Sequence, residues 1–309
     1  MTPTSEATSA LRTEGLTKHY GEVRALVDLD LDVRPGEVFG FLGPNGAGKT
    51  TMIRTVMDEI RATAGTATVL GMDSHRDSVE IRRHIGYLPS DLALYPNLTG
   101  RDTLTYFANL RGGVDRDYVR SLAERLDADL DKKVGDLSSG NRQKVGIIQA
   151  LMSRPELVLM DEPSAGLDPL VQRELQTMMR ELANEGRTVF LSSHTLSEVQ
   201  RVADRVGIIR SGRLIALESV AGLRTKATRR VELDLDGVAD PAVLLAVPGT
   251  ADVTVDGHRV ALSYSGRMDT LLAAVTAHHQ LLDLSTQEAD LEEIFLRFYR
   301  GADEARVLS

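Results

Sequence analysis

Residues 43–51 read Gly-Pro-Asn-Gly-Ala-Gly-Lys-Thr-Thr and satisfy the pattern G-x-x-x-x-G-K-[ST]. Gly43, Gly46 and Gly48 let successive backbone N–H groups curl around phosphate oxygens, with Pro44, Asn45 and Ala47 completing the loop. Lys49 is spaced to reach the β- and γ-phosphates, Thr50 to place its hydroxyl on Mg²⁺, and Thr51 ends the nucleotide-binding stretch. The bland alternative is an ordinary glycine turn. Against it, the apolar run Val38–Leu42 precedes the loop as a strand, and Met52, Ile53, Val56 and Met57 follow as a helix face.

Three further segments carry chemistry. In LVLMDEP, residues 157–163, an apolar strand ends in two carboxylates. Asp161 fits a Mg²⁺ shell, and Glu162, one residue outside the strand, fits the group that polarises an attacking water. Taken alone, the pair reads equally well as solvated acids at a strand end. In FLSSHTLSEV, residues 190–199, His194 stands just past another buried-type strand, where it can donate to a γ-phosphate or a water. A lone histidine is more often a cap or a surface group. The third segment is LSSGNRQK, residues 137–144, whose small hydroxyl-bearing turn at Ser138, Ser139 and Gly140 looks like a second phosphate cradle. The adjacent His278-His279 pair reads as a solvated helix end, since neighbours at i, i+1 do not share a helix face.

The elements that must position these residues follow from the rest of the chain. Its 309 residues are long enough for one large domain and a smaller one, and 42% hydrophobic residues suffice for packed cores. Before residue 220, short apolar runs alternate with helix-like stretches, the pattern of a mostly parallel sheet covered by helices. The strand signal disappears between about 91 and 153, where Val119, Leu122, Ala123 and Leu126 share one helix face and Thr99 with Asp102 forms a capping pair, with Gly112-Gly113 as the stop. This stretch is a helical insert. Residues 1–11 are expected to be a flexible tail, 12–221 an α/β ATPase domain, 222–230 a linker, and 231–309 an accessory domain. The last contains strand and helix candidates in the order β-α-β-β-α-β, that of a ferredoxin-like unit, and then a helix at 291–299.

Composition narrows the partners. There is no cysteine, so disulfides and thiolate metal sites are excluded. The polar opening lacks the apolar core of a secretory signal, and no stretch approaches the roughly 18–20 apolar residues of a membrane helix. Net charge is -9, and residues 228–309 hold 7 Arg/Lys against 14 Asp/Glu. An acidic tail on a near-neutral body argues against nucleic-acid binding, which depends on Lys and Arg neutralising phosphates.

In this order, the pieces resemble the nucleotide-binding subunit of ATP-binding cassette (ABC) transporters, over roughly residues 12–220. The resemblance implies a P-loop NTPase core with a mostly parallel sheet, an antiparallel β subdomain and a helical insert, with ATP and Mg²⁺ bound. It implies that Leu137-Ser138-Ser139-Gly140-Asn141 takes the place of the family's LSGGQ signature and binds nucleotide held by a second copy in a head-to-tail dimer. A chain with two phosphate-binding turns then owns half of two sites. The family pattern also puts Tyr20 against adenine, makes Asp168 of SAGLDP the residue that communicates across the dimer, and makes His194 the switch histidine. Catalysis would rest on Glu162, His194 and Lys49.

Two positions depart from that pattern. Ser139 replaces the first signature glycine, and Ser90 of IGYLPSD stands where a glutamine normally meets Mg²⁺, so Ser90 is expected to ligate the ion directly or with help from a water or Asp91. Leu92–Leu98 corresponds to the docking groove of a membrane subunit, or else is a loop packed on its own subdomain. The C-terminal stretch LSTQEADLEEIFLRFYR resembles the tail of bacterial drug and antibiotic exporter ATPases. Together these imply an ATP-hydrolysing motor on the inner face of the cell membrane, held there by a separate transmembrane permease. The alternatives are a soluble cassette ATPase of DNA repair or translation and an importer ATPase.

Overall fold

The structure is a computed structural model describing residues 9–226 and 229–287, and all elements and contacts below concern those residues. The expectations for residues 1–8 and for a helix at 291–299 lie outside them. The chain divides into two compact units at Glu218–Ser219.

The first unit opens with β1 (Leu11–Tyr20) and β2 (Val23–Val33), an antiparallel hairpin with alternating buried and exposed side chains, as a sheet with one covered face requires. Residues 9–11 are not tail. Ala10 and Leu11 are buried, the Ala10 N–H donates to Val33 O at 2.9 Å, and Leu11 stands in register with both Val33 and Val69, because leaving this apolar pair in water forfeits its burial. Then come β3 (Val38–Leu42), α1 (Lys49–Val56), β4 (Ala64–Val69) and the short β5 (Met72–Asp73). β4 pairs with the other side of β1, giving an antiparallel sheet in the order β2-β1-β4-β5.

Next are α2 (Ser78–His84) and β6 (Ile85–Leu88), followed by the helical insert of α3 (Gly100–Leu110), α4 (Arg116–Arg125) and α5 (Ser139–Leu151). Thr99 caps α3, its Oγ1 accepting the Asp102 N–H at 3.0 Å, and α3 ends just before the Gly112-Gly113 pair. Leu122, Ala123 and Leu126 are buried along α4. The chain returns through β7 (Leu157–Asp161), α6 (Pro169–Asn184), β8 (Thr188–Ser193), α7 (Leu196–Val202), β9 (Arg205–Arg210) and β10 (Arg213–Ser219). The second sheet runs β10-β9-β3-β8-β7-β6, with parallel pairing from β9 through β6. Every residue of β3, β7 and β8 is buried, and Phe190 of β8 meets Phe39 and Phe41 of β3 at ring centroid distances of 5.7 and 5.6 Å.

The second unit contains α8 (Val220–Lys226), β11 (Arg229–Leu235), α9 (Pro241–Leu245), β12 (Thr250–Asp256), β13 (Arg259–Tyr264), α10 (Met268–Thr276) and β14 (Leu281–Gln287). Its antiparallel sheet has the order β12-β13-β11-β14, the ferredoxin-like arrangement expected from the element order. Val231, Leu233, Val260, Leu262, Tyr264 and Leu271 are buried in its core. Residues 222–230 differ from a linker: Gly222 and Leu223 belong to α8, where Leu223 is buried and Ser219 Oγ accepts the Gly222 N–H at 3.0 Å, and Arg229 and Arg230 begin β11. A basic, polar composition concealed an apolar anchor.

Candidate functional site

Parallel pairing brings the C-terminal ends of β3, β8 and β7 side by side, with Leu42 opposite Ser193 and Ser192 opposite Asp161. Ligands of open α/β sheets bind at such ends, since the loops leaving them converge while the strands stay rigid. Here they carry the Gly43–Gly48 loop, His194, and the Asp161-Glu162 pair.

The loop is anchored by the Gly43 N–H donating to Ser193 O at 3.2 Å and the Gly212 N–H donating to Ala47 O at 2.9 Å. Pro44, Asn45 and Gly46 are exposed, and Gly43, Ala47 and Gly48 are buried. Gly48 has φ 112° and caps α1, and a Cβ there would lie 2.5 Å from Ala25 O, so both conformation and space demand glycine. α1 therefore starts at the loop, where its first-turn N–H groups and positive dipole end lie. Lys49 is 6% exposed; its Nζ donates to Gly43 O at 2.7 Å and Pro44 O at 3.2 Å. Thr51 continues α1, where its carbonyl accepts the Thr55 hydroxyl at 2.7 Å.

The carboxylates join this group. Asp161 is fully buried: its Oδ2 accepts the Thr50 hydroxyl at 2.7 Å, and its Oδ1 accepts the Ser192 hydroxyl. A hydroxyl and a carboxylate oxygen in contact are the hard donor set that Mg²⁺ takes beside phosphate and water, so Thr50 and Asp161 fit that ion. Glu162 adopts φ 52°, unusual for a non-glycine residue, and its N–H is shared between Ser192 O and Oγ, each at 3.2 Å. Its Oε2 is 2.8 Å from His194 Nδ1, and its Oε1 is 3.2 Å from Lys49 Nζ. That ion pair lacks hydrogen-bond alignment, leaving the buried Oε1 without a hydrogen-bond partner. One carboxylate thus bridges the phosphate-loop lysine and the histidine.

Ser90 is exposed and lines a cavity of about 540 Å³ with Thr50, Tyr87, Asp91, Leu92 and Gln149. Burial pushes the Tyr87 hydroxyl well above the usual tyrosine range, with the charges of Glu59 and Asp161 adding to the shift, so it stays a neutral donor. Leu92, Ala93 and Leu94 line the same cavity, and beyond them Tyr95, 54% exposed, meets Tyr106 edge to face at 5.6 Å.

The second glycine-serine turn stands apart. Ser138 caps α5, its Oγ accepting the Asn141 N–H at 3.2 Å, and the helix begins at Ser139. Ser138 and Ser139 are exposed, and with Gly140, Lys144 and Asp168 they line a cavity of about 630 Å³. A Cβ on Gly140 would lie 2.5 Å from Gly166 O, whereas Ser139 has room for its side chain. Asp168 caps α6 by accepting the Leu170 and Val171 N–H groups at 3.0 and 3.1 Å; the Val171 hydrogen bond, foremost, holds its carboxyl below the usual range. Asn141 turns inward, its Oδ1 accepting the Asp129 N–H and its Nδ2 donating to Asp129 O. Among the described hydrogen bonds and ion pairs, none joins this turn to Lys49, Asp161 or Glu162. Tyr20 is also separate: it is 46% exposed at the end of β1, with Lys18 Nζ 5.0 Å from its ring centroid.

Sequence reasoning missed Ser192, whose signal was a hydroxyl pair inside an otherwise apolar strand. It also missed Gln143, a buried amide whose Nε2 donates to Pro163 O at 3.1 Å and ties α5 to the segment after Glu162. Nothing in the local pattern marked Gln149 as a neighbour of Ser90.

A strand, a glycine loop, a helix opening on a buried lysine, and a hydroxyl–carboxylate pair across the sheet define a P-loop nucleotide-binding protein. Residues 26–165 match the family described as ABC transporter. The chain is 33% identical over 302 residues to the linearmycin resistance ATP-binding protein LnrL of Bacillus subtilis, covering 93% of this chain and 97% of that one. It is 35% identical over 313 residues to the daunorubicin resistance ATP-binding protein DrrA3 of Streptomyces coeruleorubidus, covering 97% and 98%. Among solved structures, the ATP-binding subunit of an ABC transporter aligns with a TM-score of 0.64 at 30% identity, covering 70% of this chain and 92% of that one. The chain belongs to the ABC transporter family, as an ATP-binding subunit.

Proposed function

We propose that this chain hydrolyses ATP to drive export of a drug or antibiotic through a separate membrane permease. The observation that carries the ATPase reading is the convergence of Lys49, Thr50, Asp161, Glu162 and His194 at three adjacent strand ends. Export of a toxic small molecule is supported by near full-length similarity to proteins named for linearmycin and daunorubicin resistance. The described residues contain no helix long and apolar enough to cross a membrane, so the path for the cargo belongs to a partner.

The loop's N–H groups and the N-terminus of α1 bind the triphosphate, and Lys49 exchanges its carbonyl partners for β- and γ-phosphate oxygens. Thr50 and Asp161 would hold Mg²⁺, which would neutralise charge on the phosphate oxygens. Glu162 orients the attacking water through Oε1 once Lys49 has turned to the phosphates, while Oε2 fixes His194 by Nδ1 and leaves Nε2 to meet the γ-phosphate. Attack joins the water oxygen to the γ-phosphorus and breaks its bond to the β–γ bridging oxygen. ADP departs, and the water's proton passes by way of Glu162 to inorganic phosphate.

The exposed Ser138–Gly140 turn completes a second copy's site in a head-to-tail dimer, adding a hydroxyl, N–H groups and the α5 dipole to the γ-phosphate, with Asp168 beside the same junction. Tyr20 stacks on adenine, and Ser90 ligates the ion's shell from the side of the docking cavity. The motor lies on the inner face of the membrane. Purification from membranes in mild detergent tests this reading: a polytopic permease accompanies the chain, and ATP hydrolysis by the complex is lost in Lys49→Ala. Isolation with ribosomes or DNA and no membrane partner overturns the transport assignment.

A further inference from the structure

Ser192 is fully buried at the second-to-last position of β8, a strand whose six residues are all buried. Its neighbours Val189, Phe190 and Leu191 are apolar, and the sheet would accept valine at this position by volume and by β propensity. A hydroxyl in such a strand needs partners for its donor and its lone pairs. Both are functional groups. The O–H donates to Asp161 Oδ1, and the oxygen accepts the Glu162 N–H.

Each contact has a distinct consequence. With Oδ1 held by Ser192, the Asp161 carboxylate cannot turn freely, and Oδ2 faces the Thr50 hydroxyl at 2.7 Å. The second contact, with Ser192 O accepting the same N–H, fastens Glu162 in its left-handed backbone conformation, from which the side chain reaches both Lys49 and His194. We infer that Ser192 is a positioning residue of the ATPase site, whose hydroxyl presents Asp161 to the divalent cation and holds Glu162 in its working conformation. It acts through Asp161 and Glu162. This inference rests on the assignment of Asp161 and Glu162 to MgATP hydrolysis.

The test measures cation binding directly. Mn²⁺ replaces Mg²⁺, and its dissociation constant on the ATP-loaded protein is read by electron paramagnetic resonance in a Lys49-intact, Glu162→Gln background, where nucleotide is not consumed. Ser192→Ala and the volume-filling Ser192→Val are both expected to weaken Mn²⁺ about tenfold, as befits losing one hydrogen bond to a charged group. Ser192→Thr keeps the hydroxyl and restores the value. ATP affinity in the presence of chelator stays the same in all variants, which separates positioning from general damage to the fold. In the Glu162-intact protein, kcat falls in Ser192→Ala even at saturating Mg²⁺, because Glu162 loses part of its backbone anchor. Unchanged Mn²⁺ affinity in both Ala and Val variants overturns the inference, as does a loss in chelator matched by an equal loss with the cation. If the parent protein binds no Mn²⁺ with ATP, the underlying assignment fails instead.

Discussion

The two glycine-bearing turns of this chain are built in opposite ways. Around Lys49, side chains are committed to one another, lysine to glutamate, glutamate to histidine and threonine to aspartate, with Lys49 and Asp161 buried. Around Ser138, the side chains are exposed, and Ser138 caps only its own helix. Burial of Lys49 and Asp161 and the fixed contacts around them make the first region competent to stabilise charge. The second has a helix N-terminus and a hydroxyl, and no described hydrogen bond or ion pair ties Lys144 or Asp168, which line its cavity, to Ser138, Ser139 or Gly140. Asp168 shares the second cavity, which puts the start of α6 beside the Ser138–Gly140 turn.

Substitutions can break this contrast, and the buried region should suffer most. Glu162→Gln is expected to lower kcat by about a thousandfold while ATP remains bound, because a positioned base contributes on that scale; turnover within twofold of the parent would remove Glu162 from its role. Ser138→Arg is expected to lower hydrolysis by roughly a hundredfold, the scale of one lost anion-stabilising donor, without changing nucleotide binding to the phosphate loop of its own chain. Mixing Ser138→Arg with Lys49→Ala subunits tests the same point by complementation. Such pairs recover at most one working site, and equal activity of Ser138→Arg and parent refutes the trans assignment.

A smaller effect distinguishes the turn's two small residues. Gly140→Ala forces a methyl to within 2.5 Å of Gly166 O and is expected to cost about 1–3 kcal/mol, seen as a lowered melting temperature, while Ser139→Gly stays within about 0.5 kcal/mol. Equal melting of both variants would show that the turn relaxes freely. Weakest of all, Ser90→Ala should shift the Mg²⁺ half-saturation of turnover only about twofold, since an exposed neutral hydroxyl is easily replaced by water. A superimposable Mg²⁺ titration leaves Ser90 a bystander lining its cavity.

Much of this was legible in residue order. G-x-x-x-x-G-K-T, an apolar strand ending in Asp-Glu, a Thr99 cap and alternating strands are local signals, each set by chemistry within a few positions of the chain. Local signals also misled where burial was the deciding fact: residues 9–11 and 222–230 look polar or loose, yet Leu11 and Leu223 are buried. Meetings across the sheet were a different matter. Thr50 and Asp161 lie 111 residues apart, and Ser192 and Asp161 lie 31 apart. Only the placement of β8 between β3 and β7 sets the Ser192 hydroxyl on that carboxylate, and only the packing of α5 brings Gln149 to the cavity that Ser90 lines. Backbone hydrogen bonding chooses strand neighbours without regard to their distance along the chain, so which groups can act was written in their types and spacing, and which act together was decided by the fold.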